Sequence, residues 1–138
     1  MSRRRQRGQT LVEFAVIVPL FALLLFGLLD FGRVIFTQNA LTQAAREATR
    51  VASLSPSASS TKYAAIRAAA RNAAPGVALT DGSITGSGCA DCFYPTGAVS
   101  GSIVVVTVSS TVTLSTPLLA QVLGGSFNLT STSRSVIP

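Results

Sequence analysis

From Leu11 to Leu29 the chain is apolar at almost every position, and Glu13 is the one charged residue in the run. At about 1.5 Å of rise per residue, a helix over this stretch comes close to the roughly 20 residues needed to cross a bilayer core. Beyond Arg33 the pattern becomes one-sided. Leu41, Ala45, Ala48 and Ala52 fall on one stripe of a helix, while Gln43, Arg46, Glu47 and Arg50 lie largely opposite. No helix breaker stands between Arg33 and Ser53. The pattern therefore predicts one long helix that leaves the membrane and enters a domain outside it.

The Ser/Ala-rich link from Ser53 to Ser60 contains Pro56 and predicts a break. A second helix follows over Thr61 to Ala73, with Ser59 or Ser60 as N-cap and Pro75-Gly76 beyond its end. Its Lys62, Arg67 and Arg71 read as a solvent face. After Val77 the signals are extended: Asp81-Gly82 is a turn dipeptide, and Gly86-Ser87-Gly88 is a loose link. The clearest strand is Ile103 to Leu114, with Val104, Val106, Val108, Val112 and Leu114 on one face and Thr107, Ser109, Thr111 and Thr113 on the other. Thr116-Pro117 starts a short helix to Leu123, closed by Gly124-Gly125, and Phe127 and Leu129 open a last strand. The fold class is α+β: a long N-terminal transmembrane helix continuing into a small extracytoplasmic domain with a second helix and an antiparallel sheet.

Charge sets the direction of the span. Arg3, Arg4, Arg5 and Arg7 precede it, and basic residues beside a first span stay cytoplasmic, so the chain after Arg33 is expected outside. A cleaved secretory signal fits poorly, because the apolar run is long, ends in Asp30-Phe31-Gly32-Arg33 and continues into a helical pattern. The chain holds 11 Lys+Arg against 5 Asp+Glu, and without the four arginines before Gly8 the balance is seven against five. The basic excess belongs largely to that leader, which argues against nucleic-acid binding by the folded surface.

The run Arg7-Gly8-Gln9-Thr10-Leu11-Val12-Glu13-Phe14, Pro19 within the span, the Asp30-Phe31-Gly32-Arg33 exit and Ala44-Ala45-Arg46-Glu47-Ala48 resemble TadE-like pseudopilins. These are minor pilin-like proteins of bacterial tight adherence (Flp pilus) systems. The resemblance covers about the first 50 residues and is only architectural beyond them. It implies that a prepilin peptidase cuts after Gly8, leaving Gln9 as the new N-terminus with Glu13 as a docking carboxylate and Phe14 beside it. It implies a non-enzymatic role in pilus biogenesis, adhesion and biofilm formation from the inner membrane or the pilus, with other pilins or pseudopilins and the assembly platform as partners. The corresponding organisation is a basic leader at 1–8, a transmembrane and stalk helix at 9–53, and a small α+β domain at 54–138.

The residue types suit those roles. Gly8 lets a protease approach the backbone closely. An ionised Glu13 at the edge of hydrocarbon is costly enough to mark a specific partner, and a neighbouring α-amino group at Gln9 would reward correct register. A headgroup-exposed carboxylate at a helix N-terminus is the plainer reading of Glu13 from position alone. Pro19 frees the carbonyl of Ala15 and predicts a kink or local opening. Asp30 and Arg33, three residues apart, are expected to mark the membrane exit.

Cys89 and Cys92 form a C-x-x-C with three readings. Outside the cytoplasm a disulfide closing the short loop is favoured. A redox pair lacks its thioredoxin-like setting, and zinc lacks ligands in a chain with two Cys and no His. The missing histidine also removes the commonest general base, and no phosphate-cradling loop lies between a strand and a helix. No enzyme, cofactor or metal is expected. The alternative function is an uncleaved, single-pass envelope protein that binds or adheres through its outer domain, with Phe93 and Tyr94 as a contact patch or, more plainly, as local packing.

Overall fold

The computed structural model describes residues 3–54, 60–87, 93–94, 99–116, 120–121 and 124–138, with side chains from Gln9 onward. The first helix, α1, runs unbroken over Arg3–Ser53, and Pro19 lies inside it. The second, α2, is Ser60–Ala73. A 3-10 turn at Asp81–Ser83 leads into the short strand β1, Ile84–Thr85, followed by β2, Ile103–Thr113, and β3, Ser126–Val136. The strands form one antiparallel sheet in the order β1-β2-β3. Two compact units share α1: residues 1–33 with 113–126 form one, and residues 34–112 with 127–138 the other.

The second unit holds the core. Leu41, Ala44, Ala45, Ala48 and Ala52 of α1 are fully buried against Ile66 and Ala70 of α2, Ile84 of β1, Val104, Val106 and Val108 of β2, Phe93 and Ile137. The alternation along β2 explains which valines enter it, because successive side chains of a strand point to opposite faces. With four alanines facing it, α1 presents almost bare backbone to its neighbours, so the packing is close and little volume is spare. Hydroxyls on this stretch are satisfied within the helix: Thr49 Oγ1 donates to the Ala45 carbonyl at 2.7 Å, and Ser53 Oγ to that of Arg50 at 2.9 Å.

β1 and β2 pair Ile84 with Val108 and Thr85 with Thr107. For β2 and β3 the register is fixed by the Ile137 amide donating to the Ser102 carbonyl and the Leu114 amide donating to the Gly125 carbonyl. That register sets Thr107 opposite Thr132, whose hydroxyls lie 3.0 Å apart on the outer face.

The face of α2 expected to be solvated is partly engaged. The Arg67 guanidinium lies 5.7 Å from the Phe93 ring centre, and Arg71 pairs with Asp81 while its Nε donates to the Leu79 carbonyl. Phe93 is itself fully buried, its ring centre 5.6 Å from that of Tyr63. Half-buried Tyr94 donates its hydroxyl to the Ala52 carbonyl at 2.9 Å, in the last turn of α1 where carbonyls lack helical partners. These aromatics pack the domain, and the contact-patch expectation gives way to the plainer one. Cys89 and Cys92 lie outside the described residues.

Candidate docking segment of the N-terminal helix

In the first unit the apolar run is exposed. Leu11, Phe14 and Leu20 keep 69%, 66% and 69% of their surface, and Leu24 and Leu28 are similar. A contiguous apolar surface of this extent is foreign to a soluble monomer and suits lipid or partner helices. The helix is long and apolar enough to cross a membrane, and the apolar window is unburied.

Gly8 is helical, with the helix continuing on both sides of it. Glycine weakens a helix by about 1 kcal/mol relative to alanine, so this is a point at which the chain can be opened locally. Gln9, Val12, Glu13, Val16 and Ile17 line one shallow groove. Their spacing of three and four residues is that of a single helical stripe. The stripe carries one carboxylate, and Glu13 lies one helical turn, about 6 Å along the axis, from Gln9. Phe14 is exposed and adjacent.

Asp30 differs from the rest of the run in being only 7% exposed. Its Oδ1 accepts the Ser115 amide at 3.2 Å, and its Oδ2 accepts the Thr116 amide at 3.1 Å and the Thr116 hydroxyl at 2.7 Å. Arg33, one turn on, adds a Coulombic attraction. Asp30, expected to mark the membrane exit, is thus a clamp on a segment some 85 residues away in sequence. Thr116-Pro117 signals the start of a helical turn, but nothing in the sequence says that Asp30 supplies its capping acceptor. The Ala120 amide bonds the Thr116 carbonyl at 2.9 Å, as such a start requires. Among the described residues no three His, Cys, Asp or Glu side chains come together as metal ligands do.

The architecture is a long apolar helix, a candidate membrane span, with a small α+β domain. Residues 8–50 match the family described as TadE-like protein, so the helix of this chain is TadE-like from Gly8 through Arg50. No curated protein and no solved structure matches the chain. The likeness points to a protein associated with the tight adherence pilus, a family that is generally non-enzymatic, and the single apolar helix is consistent with a single-pass membrane protein of such a system.

Proposed function

We propose that this chain is a TadE-like pseudopilin, trimmed after Gly8 and joined through its N-terminal helix to other pilin-like subunits or to the assembly platform of a tight adherence pilus. The observation that carries the reading is the stripe of Gln9, Val12, Glu13, Val16 and Ile17, exposed on a helix whose family match begins at residue 8. Cleavage before Gln9 creates a positive α-amino group one turn from Glu13. A carboxylate in a low-dielectric setting gains far more from an amine, its own or a neighbour's, than it would in water. The apolar residues of the stripe supply contact area, and the charge pair supplies register. The leader arginines hold the N-terminus inside until cleavage, which leaves the α+β domain outside the cytoplasm and supports a role in adhesion and biofilm formation.

The test is the mature N-terminus, determined by intact mass and terminal sequencing of protein from native membranes with and without the prepilin peptidase. A chain beginning at Gln9 only when the peptidase is present supports the reading. An intact leader in both strains replaces it with a permanently anchored envelope protein.

A further inference from the structure

Gln9 acquires a second chemistry once it stands first in the chain. α1 begins at Arg3, so a cut after Gly8 removes the helical residues 3–8 and makes Gln9 the first residue of the helix. Before the cut its nitrogen is an amide and no nucleophile. After it, the nitrogen is an amine within reach of Cδ of its own side-chain carboxamide, and attack there closes an unstrained lactam ring. Asn, one methylene shorter, would close a strained one.

The surroundings of Gln9 decide whether that attack occurs. Gln9 is exposed and lines a shallow groove with Val12, Glu13, Val16 and Ile17. Glu13 supplies the one carboxylate of that groove, and the other three side chains are aliphatic. Side chains of a helix lean toward its N-terminus, so the Glu13 carboxylate lies over the turn that Gln9 would open. An amine held there as ammonium has its lone pair committed to the proton and cannot attack Cδ. Two influences pull the other way. A positive charge at a helix N-terminus opposes the macrodipole, and a charge at the edge of hydrocarbon loses solvation. An amine that parts from Glu13 is therefore better off neutral, and the neutral form is the nucleophile.

We propose that Gln9 of the trimmed chain is a self-modification site: it closes to pyroglutamate, Glu13 delays the closure, and closure ends docking. The neutral amine adds to Cδ, a new C–N bond forms as the bond from Cδ to the side-chain nitrogen breaks, and that nitrogen leaves as ammonia with the proton shed by the amine. No co-reactant is consumed. The product is an uncharged lactam that offers Glu13 no ion pair, so a subunit keeps its charge-set register only while its amine survives. The inference rests on trimming after Gly8, and the test separates the two.

Full-length chain is pulse-labelled in cells that have the prepilin peptidase, chased, extracted from native membranes and weighed intact, with Glu13→Gln and Gln9→Asn in parallel. Trimmed wild-type chain should move during the chase to a mass lighter by one ammonia and become blocked to terminal sequencing. Glu13→Gln should move about two- to fivefold faster, the fold-change that an exposed ion pair carries. Gln9→Asn should keep its mass. Wild-type chain that co-purifies with other pilin-like subunits should be depleted in the lighter form relative to chain that does not. Trimmed wild-type chain that keeps its ammonia throughout overturns the proposal and leaves the trimming intact. Equal rates in wild type and Glu13→Gln, or equal shares of the lighter form in docked and free chain, also overturn it. A retained leader overturns the trimming and the proposal together.

Discussion

Replacing Phe93 with Ala asks whether the aromatic pair beside the C-x-x-C belongs to the core or to a binding surface. Phe93 is fully buried, with its ring against Tyr63 and under the Arg67 guanidinium. Burying a phenylalanine removes about 150–250 Å² from water, which at about 25 cal/mol per Å² is worth about 4–6 kcal/mol as an upper figure. Alanine keeps part of that, and a void left among small valines and alanines relaxes poorly, so the expected loss is about 3–5 kcal/mol. Domains of this size are stable by only about 5–15 kcal/mol, so the variant should sit near the edge of folding. Phe93→Leu should lose less, about 1–2 kcal/mol. The assay is urea unfolding of the full chain in detergent micelles, read by pulse proteolysis, which follows the α+β domain without interference from the micelle-protected helix. A loss below about 1 kcal/mol for Phe93→Ala, together with lost attachment to cells or surfaces, would refute the packing argument and return Phe93 to a binding role.

Other expectations follow from single contacts. Tyr94→Phe removes the bond to the Ala52 carbonyl and should cost about 0.5–1.5 kcal/mol in the same assay. Burial and the neighbouring Tyr63 hold the Tyr94 phenol above its ordinary value of 10.0. Its contribution is therefore intact below the unfolded value and lost as pH climbs through the raised one, and unfolding curves on the alkaline side should show a decline that Tyr94→Phe reduces. Gly76 has a φ of 87°, so Gly76→Ala should destabilise by about 1–2 kcal/mol, whereas Gly82→Ala, with open space around it, should be neutral or slightly stabilising; equal effects would contradict the backbone argument. Glu13→Gln should leave trimming after Gly8 unchanged and abolish co-purification with other pilin-like subunits; retained co-purification would remove the carboxylate from the docking scheme.

Much of the fold is legible in the sequence where one period runs long enough. The unbroken stretch from Arg33 to Ser53 and its alanine stripe foretell the second half of α1, and the valine alternation foretells β2 nearly to its last residue. Ile84–Thr85 is too short to show any period, and its pairing with β2 is a tertiary fact. Beyond Leu129, β3 has serine at every second position facing inward, so the apolar signal stops although the strand continues to Val136. Gln9 and Glu13 stand out in the sequence because they are local to one helix, whereas the groove they share with Val12, Val16 and Ile17 is seen only in the structure. The Asp30 clamp is not legible in the sequence, because hydrogen bonds to Ser115 and Thr116 across some 85 residues leave no trace in spacing. The same holds for Arg67, whose place over Phe93 depends on where a distant loop packs.

The place of Ile137 in the core bears on how the protein is made. Its side chain is buried with Leu41 and the β2 valines, its amide bonds Ser102, and its carbonyl accepts the Gly101 amide. The alanine stripe of α1, Ala44 to Ala52, leaves the ribosome 85 to 93 residues before this partner exists. Contacts so far apart in sequence form late, after most of the chain is available. The α+β domain thus has no complete core until residue 137 has been made, and on the export route of the proposed function it would cross as an open polypeptide and fold only after that residue arrives.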